Sequence, residues 1–164
     1  LFLVCPAGYG EADANYSQGI AAQLASTPGL DRLLYAVGAG NEWAVRTFME
    51  NILFADRSCV TPEMVAAYVA SAQQFNAEFA ALASLRGSLC FDLEQFMGQL
   101  QIPTSIVWGD RSRFGRPALA QRLAQLNPEA IQNVTVIPRV GVLPHLETPA
   151  VVVGLLRQWL QNWL

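Results

Sequence analysis

Lysine is absent from this chain; all ten basic residues are arginine. Schiff-base chemistry, which needs an amine nucleophile, is thereby excluded. Histidine occurs once, at His145, and cysteine three times, at Cys5, Cys59 and Cys90, with no Cys-x-x-Cys spacing. Such a set makes neither a zinc site nor a disulfide framework, and no metal or cofactor is expected. Each cysteine reads as a small buried hydrophobe in a reducing compartment such as the cytoplasm. Charge is scarce altogether, at 14% of the 164 residues, against about 25% in an ordinary soluble domain. The arginines are scattered and the net charge is −3, so no nucleic-acid footprint is present. No stretch approaches the ~18 uninterrupted apolar residues of a membrane span. The nearest, Val151 to Leu164, is broken by Arg157, Gln158, Gln161 and Asn162. What remains is a chain that is 52% hydrophobic. It predicts more apolar surface than a free monomer carries, suited to an apolar ligand or to a protein interface.

The most informative stretch is Ile102 to Phe114. After Pro103, a short β-rich run from Thr104 to Trp108 ends at Gly109 and opens into the polar loop Asp110-Arg-Ser-Arg-Phe114. Apolar and β-branched residues between turn signals, with helical patterns on both sides, predict a buried parallel strand. In an open α/β sheet, chemistry sits beyond the carboxyl end of such strands.

Taken in order, Leu1 to Cys5 is a continuous apolar run that reads as a strand already under way, so further chain upstream is expected. It stops at the Pro6–Gly10 turn, and a polar loop with Glu11 and Asp13 follows. Neither Gly8-x-Gly10 nor Gly38-x-Gly40 gains the third glycine of a nucleotide loop. Helical patterns run from Gly19 to Leu85, with a short helix at Ile20–Leu24 and another around Trp43 to Phe54. Thr61-Pro62-Glu63 predicts a helix start, with a threonine N-cap and proline in the first turn. That helix is expected to bury a wide stripe of Met64, Val65, Tyr68, Val69, Ala72, Phe75, Phe79 and Leu82, as core or as a pocket roof. Cys90 to Leu100 is read as a short helix, and Pro117 to Leu126 as the next, closed by Asn127-Pro128. Asn133 to Ile137 is read as a strand. A loop from Pro138 to Glu147 then leads to Thr148-Pro149, which caps a last helix burying Val152, Leu155, Leu156, Trp159 and Trp163. This alternation calls for a parallel sheet with right-handed crossovers.

The stretches Ile102–Asp110, Leu123–Pro128 and Val140-Gly-Val-Leu-Pro-His-Leu-Glu-Thr-Pro149, with the closing helix, resemble the C-terminal half of an α/β-hydrolase. The general likeness is to the α/β-hydrolase-like proteins of cyanobacteria and chloroplasts, which adds the chloroplast stroma as a possible compartment. The resemblance implies a partial α/β-hydrolase fold, with about three parallel strands, flanking helices and a helical cap insertion. Residues 1–35 and 90–164 would form the core and residues 36–89 the cap. The nucleophile-bearing half would precede Leu1 and, or else a partner protein, would cover the free edge of the Leu1–Cys5 strand.

That fold's chemistry needs a nucleophile on a sharp elbow, then an acid, then a histidine. The hydroxyl is activated when imidazole takes its proton, and the acid fixes and stabilises that imidazole. No Gly-x-Ser-x-Gly occurs here. In the family pattern Trp-Gly-x-x-Asp, Ser112 occupies the acid's place, with Asp110 two positions early. In the pattern Gly-His-x-x-x-x-Glu-x-Pro, Val142 stands where the base should be, while Gly141, Glu147 and Pro149 match. The other ionisable candidates are His145, at a non-catalytic place in the pattern, and Glu11 or Asp13 as a substitute acid. Glu147 is expected to hold the loop at the helix start. Two readings follow. One is a catalytically degenerate hydrolase fold that serves as a binding or scaffold subunit, with room for an apolar ligand under the cap. The other is part of an active hydrolase of apolar esters or acyl compounds.

Overall fold

The chain is described from a computed structural model, for residues 1–6, 26–27, 30–38, 40–85 and 93–162. Its centre is strand β2 (Thr104–Gly109), every residue of which is buried. Two parallel neighbours flank it, β1 (Phe2–Val4) and β3 (Ile131–Ile137), in the order β1-β2-β3. A central strand covered on both faces requires side chains that shed water in both directions, and Ile106, Val107 and Trp108 supply them. Ile106 and Trp108 pack with Met97, Ala120, Leu123 and Ile131, whereas Val107 packs with Ile137, Val140 and Val152 on the opposite side. The register steps by one residue between Thr104, paired with Ile131, and Ser105, paired with Asn133. This irregularity lets Ile131 and Ile137 join clusters on opposite sheet faces, which strict alternation would forbid.

The helices are α1 (Leu30–Gly38), α2 (Glu42–Phe48), α3 (Pro62–Ala72), α4 (Ala77–Leu85), α5 (Glu94–Met97), α6 (Pro117–Leu126), α7 (Pro144–Glu147) and α8 (Pro149–Gln161). Helix α3 starts as its sequence predicts, because the Thr61 hydroxyl accepts the Met64 N–H at 3.2 Å with Pro62 in the first turn. Asn127 ends α6 and binds the next segments together. Its Nδ2 donates to the carbonyls of Met97 and Leu100, and its Oδ1 accepts from Ala130 N.

The single long helix expected after Thr61 is two helices. Gln73 to Asn76 interrupts it, with Asn76 in the left-handed region at φ 64°, a conformation asparagine tolerates better than most residues. The expected stripe is only partly buried. Val65, Val69 and Leu82 are inside, while Phe75 is 93% exposed and Tyr68 and Phe79 also face solvent. The strand expected from Asn133 begins earlier, at Ile131. The loop before the last helix contains the extra helix α7. Thr148 does not cap α8 with its side chain; its hydroxyl donates to Pro144 O at 3.1 Å. Val152 and Trp159 are buried as expected, with Leu155 and Leu156 half-buried. Among the described residues no helix is long and apolar enough to cross a membrane. The Ile20–Leu24 helix, Gly8 and Gly10, Cys90 and Trp163 lie outside the described residues, as do the candidate acids Glu11 and Asp13.

Between β1 and β2 the chain inserts α1 to α4, whose own cluster contains Val45, Met49, Leu53, Phe54, Val60, Val65 and Val69. Asn41 caps α2 by accepting from Trp43 N at 2.8 Å. Tyr35 Oη donates to Ala72 O at 2.6 Å, tying α1 to the end of α3. Helix α2 runs directly into a wide π-type turn (Met49–Leu53), closed by Phe54 N donating to Met49 O. Such turns cluster at functional sites because they re-aim the residues that follow. Here they aim Leu53 to Asp56 at the loops of the sheet.

Candidate functional site

The loops leaving β2 and β3 meet at their roots. A Cβ on Gly109 would overlap the carbonyl oxygens of Gly141 and Val140, so only glycine allows this approach. Asp110 N donates to Ile137 O at 3.1 Å and Arg111 N to Val140 O at 2.9 Å. Asp110 Oδ1 returns the connection by accepting Val140 N at 3.3 Å. The carboxylate two positions ahead of the acid's place therefore holds backbone. Trp108 fixes the far side of its loop, as its indole Nε1–H donates to Gly115 O at 3.1 Å.

Ser112, in the acid's place, is half-buried, and its Oγ is a fully buried atom with no hydrogen-bond partner among the described residues. A hydroxyl cannot do the acid's work of holding and stabilising an imidazolium. Val142, in the base's place, is half-buried against the insertion's cluster, together with Leu143, Leu146 and Phe114. Its side chain adds hydrocarbon to that cluster. Val142 N donates to Leu53 O at 2.8 Å, so the backbone of this position is committed as well. His145 lies on α7, exposed, and makes no hydrogen bond or ion pair among the described residues. The structure brings Ser112 and Val142 to neighbouring loops and leaves His145 outside them.

Glu147 is the best-connected acid in the region. Oε1 accepts Gly141 N at 2.6 Å, and Oε2 accepts Ala55 N at 2.9 Å and Asp56 N at 3.1 Å. One carboxylate thus joins the loop after β3 to the insertion, which is the loop-holding role its position suggests. Asp56 in turn accepts the hydroxyl and N–H of Ser58, and these bonds hold its carboxyl below the usual carboxylate range.

The two described cysteines are free and half-buried, less enclosed than the composition suggests. Cys5 ends β1 at φ 42°, with Gly109 N donating to its Sγ at 3.4 Å. Burial, with a smaller push from the Glu147 charge, outweighs that hydrogen bond and raises its thiol to about 11. A thiol that stays protonated at neutral pH is a poor nucleophile. Sequence reasoning missed a gathering of arginines beside these loops, Arg57, Arg111, Arg113 and Arg139. Three of them sit in the loops after β2 and β3 and so had a positional signal; Arg57 had none.

No family model and no curated protein matches the chain. Solved structures do. A thermophilic esterase from Thermogutta terrifontis is 23% identical, with a TM-score of 0.66 over 99% of this chain and 55% of its own. An alpha/beta hydrolase fold protein from Burkholderia ambifaria is 22% identical, with a TM-score of 0.56 over 96% and 56%. A bromoperoxidase from Bacillus anthracis is 14% identical, with a TM-score of 0.59 over 94% and 55%. The chain has the α/β-hydrolase fold in part, and it spans about half the length of the solved structures it matches. Nothing in these matches points to cyanobacterial or plastid proteins in particular.

Proposed function

We propose that this chain is a catalytically degenerate α/β-hydrolase-like unit that serves as a binding or scaffold subunit. Residues 36–89 are its cap, and residues 1–35 and 90–164 belong to its core. The observation that supports the reading is the packing of Val142, which the family pattern puts in the base's position, into the cap's cluster. Valine has no lone pair to accept a proton, and the loss of general-base assistance costs ~10²–10⁴-fold in rate. Ser112 in the acid's place compounds the loss, because triad members act as a unit. The test is hydrolysis of short-chain aryl esters by the purified 164-residue chain. No turnover above background is expected, and saturable turnover that disappears in Ser112→Ala or His145→Ala overturns the reading.

A second reading draws on the match to about half of an esterase. In it an upstream half supplies nucleophile and oxyanion hole, and the whole acts on an apolar ester or acyl compound. In both readings the free edge of β1 is covered by that upstream half or by a partner protein in a reducing compartment, since an unpaired apolar strand edge invites association. Alone, the chain is then expected to melt broadly and in a concentration-dependent way. A sharp melt independent of concentration would sink the idea.

A further inference from the structure

Of the ten arginines in the chain, four gather around one cleft. Arg57 comes from the helical insertion, Arg111 and Arg113 from the loop after β2, and Arg139 from the loop after β3. Glu50, Phe54 and Ala55 complete the lining of this open hollow of about 450 Å³. A second hollow, of about 640 Å³, shares Ala55, Arg57 and Arg139 with it. In a chain of net charge −3, this is a local reversal of sign. Like charges brought together repel, and more strongly beside a low-dielectric wall than in open water.

The carboxylates nearby leave most of this charge unmatched. Glu50 pairs with Arg46 at 3.4 Å. Asp110 is 3.9 Å from Arg111, at the outer limit of an ion pair, and its other oxygen holds Val140 N. Asp56 and Glu147 line the second hollow, but both accept backbone N–H groups. Arg113 and Arg139 have no ion-pair partner among the described residues. The cations are also positioned. Arg57 Nη2 donates to Asn51 Oδ1 at 2.8 Å. Arg139 stands at φ 61°, a conformation that costs a non-glycine residue and that glycine would adopt freely.

We propose that this cleft binds a phosphate dianion, either the free ion or the phosphate group of a monoester. Guanidinium forks match phosphate oxygens in bidentate pairs, and several forks around one hollow call for more oxygens and more charge than a carboxylate offers. The inference goes beyond the proposed function and stands apart from it, since it concerns binding and is read without turnover.

Calorimetric titration of the chain with inorganic phosphate and with phenyl phosphate, at constant ionic strength, tests it. Saturable binding of at least one is expected. Preference for phenyl phosphate assigns the cleft to a monoester, and preference for phosphate to the free ion. The double variant Arg113→Ala with Arg139→Gly should bind about tenfold more weakly or worse. Glycine at position 139 relieves the backbone cost, so that variant keeps its fold. Arg116→Ala, outside the cleft, should bind unchanged. No saturable heat, equal loss in Arg116→Ala, an unaffected double variant, or benzoate binding as tightly as phenyl phosphate each overturns the proposal.

Discussion

The loops after β2 and β3 share one root and differ at their tips. At the root, Gly109 and Gly141 touch backbone to backbone, and Asp110, Arg111 and Val140 exchange hydrogen bonds. Farther out, the loop after β2 stays polar. It carries two exposed arginines and a serine hydroxyl buried without a partner among the described residues. The loop after β3 turns apolar and locks into the insertion through Val142, Leu143, Leu146 and the Glu147 carboxylate. A shared root preserves the fold, while the tips decide what the fold is used for. Here the tip after β3 is mostly packing, while the tip after β2 adds Phe114 to that packing and leaves its arginines exposed.

The root should be the least tolerant part. Gly141→Ala would place a Cβ 2.8 Å from Ala55 N and from the Glu147 carboxylate. Because these are fixed neighbours, a loss of about 3 kcal/mol or more is expected in urea denaturation. A loss below about 1 kcal/mol would mean that the two loops slide apart easily, and the shared root would lose its meaning.

Next comes the tie at the apolar tip. Glu147→Ala leaves the N–H groups of Gly141, Ala55 and Asp56 without their acceptor and should cost about 2 kcal/mol. Glu147→Gln keeps an acceptor oxygen and should recover part of that cost. Equal losses in the two variants would show that charge, rather than the acceptor, holds the seam.

The smallest effects separate the tips themselves. Val142→His inserts a polar ring into hydrocarbon and should destabilise the chain by about 1–2 kcal/mol without producing esterase activity. Ser112→Ala removes a hydroxyl that has no described partner and should stay within about 0.5 kcal/mol of the parent, on either side. A reversal of this order in thermal melts would mean that the Ser112 hydroxyl, and not the Val142 side chain, holds its loop.

Much of this was legible beforehand because it rests on local rules. Continuous burial marked β2, the Thr61-Pro62 pair marked the start of α3, and Trp108-Gly109 marked the entry to the loop. Val142 was readable as the residue after Gly141, where the family pattern Gly-His-x-x-x-x-Glu-x-Pro has its histidine. The cluster it packs against was not, because its members, Val45 to Val69, are distant in sequence and only the folded insertion brings them there. The break at Asn76 escaped notice because apolar spacing continues across it, and spacing alone does not register a single residue with positive φ. Glu147 was expected at the start of a helix, yet two of its three partners lie in the insertion.

The seam between insertion and sheet also bears on motion. Val142 N to Leu53 O, and Ala55 N and Asp56 N to Glu147, are hydrogen bonds that cross it. At about 1 kcal/mol each, breaking them together leaves an opened form on the order of one molecule in a hundred, before any apolar surface is exposed. These bonds alone therefore hold the insertion against the sheet loops in all but a minor fraction of molecules.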